Sequence, residues 1–304
     1  WEVKLNSDQT QTSTIYKVKT KVDVHDLTEF KDAIAIPNTT IQLKNNIDIN
    51  ENIEIKSKNI TIIGNAHQIN IISNASANNG TNTSALVVKA KNTVLSNFTV
   101  NNGTTKPGLT LYNAENAELS DIQIIGKDPA TVTDNKERSG VALDIYKTTV
   151  KLKNITSSNS LYRDFQVRGG SQVEILSKNV HSTGAVHIQS IQKVGEANNI
   201  IKDASDFYLA GEPFEENGDT KVDYFLKVEK EATTISDIVE GIKNGGTIVT
   251  LQNDIILDMD DLPDPESLKI EVNRNVTIDG NGKTLDLNGM GTFVLKGKDI
   301  SRTP

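Results

Sequence analysis

The chain contains no cysteine, and this absence excludes disulfides, thiolate metal sites and a cysteine nucleophile. It also has no apolar run of about 18 residues, so the sequence predicts no membrane-spanning helix. Its first ten residues, WEVKLNSDQT, lack the basic and apolar regions of a signal peptide. The net charge is −8, and there is no concentrated basic stripe of the kind that binds nucleic acid. The hydrophobic content of 36% in 304 residues predicts a folded chain with a large core.

A short pattern recurs along the middle of the chain, in which an apolar residue, a variable residue, Asn or Asp, and another apolar residue end a β-like run. The Asn or Asp stands at Asn97, Asp121, Asn154 and Asn179, so successive copies are 24, 33 and 25 residues apart. Repeats of this length with strand-like units indicate a solenoid, because each unit buries its apolar face only against its neighbours.

Each copy is accompanied by a strand in which apolar and polar residues alternate, which is typical of half-buried β-structure. These strands lie at 85–89, 108–112, 140–146, 164–168 and 185–189, with turn-forming residues between them. Short strands and polar turns that repeat in this way predict an all-β fold, the parallel β-helix. Two longer loops, at 71–84 and 127–139, are the places where function is expected on such a scaffold.

A second repeat, about 210 residues long by the offsets between matching positions, overlies the first. The matching positions, at offsets of 211, 208, 216 and 216, are Asp26 with Asp237, Leu43 with Leu251, Asn59 with Asn275, and Gly64 with Gly280. The sequence therefore predicts two tandem modules. Residues 1–225 form a β-helix with an N-terminal capping helix and an irregular C-terminal cap, and residues 226–304 begin a second, truncated β-helix.

Each module is predicted to open with a short amphipathic helix that covers the exposed end of the strands. The apolar faces of these helices consist of Leu27, Phe30 and Ile34 in the first, and Ile235, Ile238, Val239 and Ile242 in the second. Either Thr234 or Ser236 is expected to cap the second helix. The segment 191–232 interrupts the repeat and is rich in aromatics. It is interpreted either as a terminal cap and connector or as an aromatic ligand platform.

Placing the apolar residues of each strand inward leaves one polar residue per strand on the outside. This predicted outward column consists of Lys89, Tyr112, Asp144, Arg168 and Gln189. Because adjacent strands lie about 4.8 Å apart, Asp144 and Arg168 are expected to pair directly. The column suits an extended sugar chain, since it offers a tyrosine for ring stacking and polar groups for hydrogen bonds. The alternative is a solvated ladder of alternating charge.

Few residues of the chain suit catalysis or metal binding. A hydrolase needs paired carboxylates and a lyase needs clustered acids with a base, whereas Asp144 is the only acid in the predicted column. The four histidines are dispersed, and His187 is expected at the surface. The acidic stretch at 254–266 lacks the residue order of a calcium loop, so it is either a solvated loop or a weak calcium site. No other cofactor is predicted.

Two segments carry a resemblance to a known family. KNITIIGNAHQINI at 58–71 and RNVTIDGNGKTLDL at 274–287, each preceded by a predicted helix and strand, resemble the pectate-lyase-like right-handed β-helix superfamily. More narrowly, they look like the tandem adhesive modules of Gram-positive surface proteins. The resemblance covers roughly 15–190 and 225–296 and implies a right-handed parallel β-helix. The catalytic motifs of the superfamily's enzymes have no counterpart in this chain, which implies an adhesive member.

The sequence thus predicts a non-enzymatic, extracellular module of a bacterial cell surface or cell wall. Its expected partner is a glycan or a host or bacterial surface protein, with no nucleic acid and no membrane insertion. The module is expected to be monomeric within a tandem array. Two alternatives remain open: a polysaccharide lyase or hydrolase with an unconventional site, and a rigid surface spacer.

Overall fold

The chain is mostly β-structure. The computed structural model describes residues 20–73, 84–128, 141–160, 163–177, 180–181, 186–242, 247–258, 268–272, 276–289 and 291–295. Most of the two predicted loops at 71–84 and 127–139, and Asn179 of the short repeat, lie outside these residues. In the described part of the chain, neither α-helix has the length and apolar character needed to cross a membrane.

The helices and strands follow one another in short segments. Those up to residue 128 are β1 (Thr20–Val24), α1 (Leu27–Ile34), β2 (Thr39–Leu43), β3 (Ile47–Ile49), β4 (Ile53–Ile55), β5 (Thr61–Ile63), β6 (Gln68–Ile71), β7 (Leu86–Val88), β8 (Val94–Asn102), β9 (Leu109–Tyr112) and β10 (Ala117–Ile125). The next are β11 (Leu143–Tyr146), β12 (Thr149–Ser158), β13 (Arg163–Arg168), β14 (Gln172–Ile175), β15 (Val180–His181), β16 (Val186–Lys193) and β17 (Ile200–Lys202). A 3-10 turn at Ala204–Asp206 precedes β18 (Tyr208–Ala210), β19 (Phe214–Glu216) and β20 (Asp219–Leu226). The last are β21 (Val228–Ala232), α2 (Ile235–Gly241), β22 (Thr247–Leu251), β23 (Ile255–Ile256), β24 (Leu268–Val272), β25 (Thr277–Asp279), β26 (Leu285–Asp286) and β27 (Gly291–Leu295).

Two large sheets contain the strands up to β20. The first sheet has the order β1-β2-β5-β8-β10-β12-β14-β17, with β3, β6 and β15 paired beside this path. The second has the order β4-β7-β9-β11-β13-β16-β20-β18, with β19 beside β20. Pairings within both sheets are parallel until β20, which runs antiparallel to β16, β18 and β19. The chain therefore passes repeatedly between the two sheets, and the predicted parallel β-class is confirmed.

The recurring Asn or Asp bends a strand instead of ending it. Asn97, Asp121 and Asn154 lie inside the long strands β8, β10 and β12, and each has a positive φ, of 55°, 54° and 51°. The ladder partners on either side stay in register, as Ser96 with Ser120 and Phe98 with Ile122. Asn and Asp tolerate this left-handed conformation better than other non-glycine residues. The bend thus recurs at the same position on neighbouring strands.

A second set of asparagines forms a side-chain ladder across four successive turns of the chain. Asn59 Nδ2 donates to Asn38 Oδ1 at 2.7 Å, Asn92 Nδ2 to Asn59 Oδ1 at 2.8 Å, and Asn116 Nδ2 to Asn92 Oδ1 at 3.3 Å. All four residues have positive φ angles between 53° and 61°. The amides therefore satisfy one another at a position where the backbone already favours asparagine.

Apolar side chains pack between the two sheets in one continuous core. It extends from Val24 to Tyr208 and consists mainly of Ile, Leu and Val, many of them fully buried. Phe207, Tyr224 and Leu226 pack against its C-terminal end. A separate, smaller core contains residues from Ala232 to Leu257.

Both helices contribute an apolar face to these cores, as predicted. In α1, Phe30 and Ile34 are buried and Leu27 packs beside them. In α2, Ile235 and Ile238 are buried and Val239 packs beside them, and Ile242, the residue directly after the helix, is buried with them. The residue that caps α2 is Thr234, through a reciprocal pair of bonds with Asp237.

The long repeat of the sequence is also a repeat of contacts. β21 pairs with β22, and β22 with β25, as β1 pairs with β2, and β2 with β5. Asn281 Nδ2 donates to Leu251 O as Asn65 Nδ2 donates to Leu43 O. One match between the two copies of the long repeat, Asp26 with Asp237, was wrong. Asp26 corresponds to Thr234, because these two residues are the N-caps of α1 and α2. The offset is therefore 208 throughout the helix, and Asp237 corresponds to Glu29.

Candidate functional site

Four polar side chains stand side by side on the outer face of the second sheet. Tyr112 of β9, Tyr146 of β11 and Arg168 of β13 are in register. Lys89 is at the matching position beside Tyr112, because the preceding residues, Val88 and Leu111, pair with each other. The two tyrosine rings lie 5.1 Å apart between centroids at an angle of 34°. Lys89 Nζ is 5.6 Å from the Tyr112 centroid, and Arg168 Cζ is 4.7 Å from the Tyr146 centroid. We call Lys89, Tyr112, Tyr146 and Arg168 the tyrosine row.

The tyrosine row contains three of the five residues predicted for the outward column and one residue that the prediction missed. Tyr146 lies two positions after Asp144, on the same side of its strand, and this alternation is the signal that identifies it. Lys147 also belongs to this surface, because its Nζ lies 5.2 Å from the Tyr146 centroid and its side chain is exposed.

Asp144 and Gln189, predicted to be exposed, are instead buried. Each is 1% exposed, and they belong to a different row that contains Thr110, Asp144, Gln166, Gln189 and Asp223. Asp144 accepts two hydrogen bonds from the Arg168 guanidinium, with Nε 2.9 Å from Oδ1 and Nη2 2.7 Å from Oδ2. Gln189 is buried where β20 joins β16, and its Nε2 donates to Asp223 Oδ1 at 2.7 Å.

The direct pairing of Asp144 with Arg168 is confirmed, although it runs diagonally between the two rows. Burial alone lowers the pKa of Arg168, but the hydrogen bonds and charge of Asp144 outweigh burial and raise this pKa. The guanidinium therefore stays charged and held. Its planar fork is suited to such a two-point bond with a carboxylate.

The other end of the tyrosine row is held in a similar way. Glu54 of β4 accepts hydrogen bonds from Lys89 and from Lys56, the latter with Nζ 2.5 Å from Oε2. Burial alone raises the pKa of Glu54, but the two lysines outweigh it and hold this pKa below its ordinary value. A hydrogen bond with Tyr146 raises the pKa of Lys147. Lys89 and Arg168, at the two ends of the row, are therefore each held by a carboxylate.

His187 was predicted at the surface, and this prediction was wrong. It is fully buried, its ring stacks on Tyr208 at 4.8 Å, and its Nδ1 lies 3.0 Å from Asp164 Oδ2. The Ser157 hydroxyl donates to the other oxygen of Asp164. Because the aspartate stands between the serine and the histidine, the histidine is not placed to take the serine proton. These contacts instead give both carboxylate oxygens of Asp164 a hydrogen-bond partner at the end of the core.

The acidic stretch at 254–266 is described only as far as residue 258. Asp254 Oδ1 accepts a hydrogen bond from Thr284 N at 2.8 Å, so this carboxylate fixes the backbone of the neighbouring segment. In the described ranges, no group of three or more His, Asp or Glu side chains is placed to hold a metal ion. The weak calcium site stays a prediction, since most of the stretch lies outside those ranges.

Comparisons of the chain with protein-family models, with curated proteins and with solved structures give no match.

Proposed function

We propose that the chain is a right-handed parallel β-helix of the pectate-lyase-like type and serves as a non-enzymatic attachment module. The fold proposal is supported by the passage of the chain between two parallel sheets and by the stacking of equivalent residues in rows. The repeated contacts of residues 228–286 support a second copy of the same architecture. The resemblance of 58–71 and 274–287 to that superfamily points in the same direction.

The tyrosine row is the observation that carries the functional proposal. Its side chains come from four successive strands about 4.8 Å apart, so the row is about 14 Å long. Tyrosine combines an apolar ring with a polar hydroxyl and suits binding surfaces for this reason. The ion pairs at both ends hold the row in place, which lowers the entropy lost when a ligand binds. We propose that this row binds a glycan or a surface protein.

The geometry changes the expected mode of contact with a sugar. Each tyrosine ring has neighbours along the row, with Lys89 over Tyr112 and with Arg168 and Lys147 over Tyr146. The ring faces are therefore partly occupied within the row. A ligand would meet ring edges, phenol hydroxyls and the exposed ammonium of Lys147, so hydrogen bonds and charge contribute more than ring stacking.

The proposed location is extracellular, on a bacterial cell surface or wall, in keeping with the resemblance to the tandem adhesive modules of Gram-positive surface proteins. An enzymatic role is less well supported, because Asp144 is buried and held by Arg168. A general acid or base must reach its substrate within hydrogen-bond distance.

The test is a binding screen on arrays of glycans and of surface proteins. The wild type is compared with Y112A/Y146A, and with K31A/K44A as a control at exposed lysines outside the row. We expect Y112A/Y146A to bind at least about tenfold more weakly, the loss of about 1.4 kcal/mol, while the control binds as the wild type does.

Equal binding by Y112A/Y146A would contradict the tyrosine row as the site. Product release from a polysaccharide that is abolished in D144A would support the enzyme instead. Silence on every glycan and protein would support the spacer. Far-UV circular dichroism of each variant checks that the fold is retained.

A further inference from the structure

A row of alternating charge crosses the outer face of the first sheet. Glu118 of β10, Lys151 of β12, Glu174 of β14 and Lys202 of β17 are in register on four successive strands. We call these four residues the charge ladder. Its order is acid, base, acid, base, and at about 4.8 Å per strand it is about 14 Å long.

The ladder is only partly neutralised within the chain. Lys151 Nζ lies 3.8 Å from a Glu174 carboxylate oxygen, with side chains 52% and 35% exposed. In the part of the chain that the structure describes, neither Glu118 nor Lys202 forms an ion pair, and both are exposed. Asn116, Thr149 and Gln172 line a shallow groove beside the ladder. The two outer charges are thus open to an external partner.

Two exposed apolar side chains border the ladder. Leu176 follows β14 and is 46% exposed, and Ile200 begins β17 and is 44% exposed. They lie on opposite sides of the ladder, since Ile200 pairs with Gln172 and Leu176 follows Ile175. A partner that covers the ladder would also cover part of these two side chains, and the burial of apolar surface favours association.

We propose that the charge ladder is a self-association surface whose partner is a second copy of this chain. A two-fold axis parallel to the strands, midway between β12 and β14, reverses the order of the ladder in the partner. Glu118 then faces the partner copy's Lys202, and Lys151 faces its Glu174, so that all four positions meet an opposite charge. A two-fold axis along the ladder would place like charges opposite one another. The charge order therefore selects the arrangement in which the two charge ladders run in opposite directions.

The association is weak and sensitive to salt. Its charges are exposed, and the Debye length falls from about 30 Å at 0.01 M salt to about 3 Å at 1 M. This surface lies on the first sheet, whereas the tyrosine row lies on the second, so the inference is independent of the proposed function.

The test is sedimentation equilibrium over a range of concentrations, at about 0.01 M and about 1 M salt. We expect a reversible dimer of the whole chain at low salt, with a dissociation constant at least about tenfold higher at high salt. A wild type that is monomeric at every concentration at low salt would overturn the proposal.

Charge reversal identifies the surface. K151E/K202E makes the ladder wholly acidic, and E118K/E174K makes it wholly basic. Each variant alone is expected to lose the dimer, and their equimolar mixture is expected to regain it as a mixed dimer. The control K31E/K44E changes the net charge as K151E/K202E does, at exposed lysines of α1 and the turn after β2, and should still dimerise. Dimers in either ladder variant alone, or no mixed dimer, would refute the ladder as the interface.

Discussion

Replacement of Arg168 by alanine should destabilise the protein far more than loss of an ordinary surface ion pair. The Asp144 side chain is 2% exposed and the Arg168 side chain 20%, and two short bonds join them. In the described part of the chain, the donor that remains after the change is Gln166 Nε2, 3.5 Å from Asp144 Oδ1. An unpaired buried carboxylate costs about 3–5 kcal/mol. With a urea slope of about 3 kcal/mol per M, the urea midpoint should fall by about 1 M or more.

Replacement of Asp144 and replacement of Arg168 should lower the free energy of unfolding by different amounts. D144A leaves Arg168 with a partly exposed guanidinium that water can solvate, so D144A should cost less than R168A. The double variant D144A/R168A should also cost less than R168A, because no buried charge remains. K151A is the control, and its exposed pair should contribute no more than about 1 kcal/mol.

Urea denaturation followed by circular dichroism measures these differences. Hydrogen exchange at the amides of β11 and β13 checks that the loss is local to the pair. A loss of less than about 1 kcal/mol in R168A, or a double variant less stable than R168A, would show that the unpaired Asp144 carboxylate is not the cause of the loss.

Three further predictions concern the backbone and pH. G64A should cost about 3 kcal/mol or more, since its Cβ would lie 2.2 Å from Phe98 Cβ, whereas G280A, with its nearest contact at 3.5 Å, should unfold at the wild-type urea concentration. N59A should lower the free energy of unfolding by about 2 kcal/mol, because Asn59 has φ 59° and its side chain makes two hydrogen bonds with neighbouring asparagines. N59G should lose less, because glycine adopts a positive φ readily; equal thermal midpoints for the two variants would contradict this. Hydrogen bonds from Thr233 and Thr234 lower the pKa of Asp237 to about 2 from 3.8, so its stabilising contribution is present above pH 3.8 and is lost as the pH falls towards 2. D237N should lack this part of the pH dependence in thermal melts between pH 5 and 2, and an unchanged profile would count against it.

The β-class and both helices could be predicted from the sequence because they follow local rules. Strand alternation identified the buried faces of β9, β11 and β13, and the apolar spacing identified the inner face of each helix. The recurring Asn or Asp of the short pattern marked a repeated backbone feature, but this feature is a bend within strands such as β8. A single sequence does not distinguish a bend within a strand from the end of a strand, because both favour asparagine.

The candidate site could be predicted only in part. Alternation gives the side of the sheet on which a residue lies, and it correctly placed Lys89, Tyr112 and Arg168 on the outer face. It does not give the row within that face. Tyr146 was missed for this reason, and Asp144 and Gln189 were assigned to the wrong row.

The sequence by itself determined the strands and the helix faces, since each depends on neighbours along the chain. Only the tertiary structure decided which outward side chains meet water. Arg168 pairs with Asp144 across 24 residues of sequence, and Asp223 meets Gln189 across 34, because strand register brings distant residues together. The same register turned four scattered charges into one alternating ladder and buried a histidine expected at the surface. These arrangements depend on lateral contacts between strands, which residue spacing within one strand does not encode.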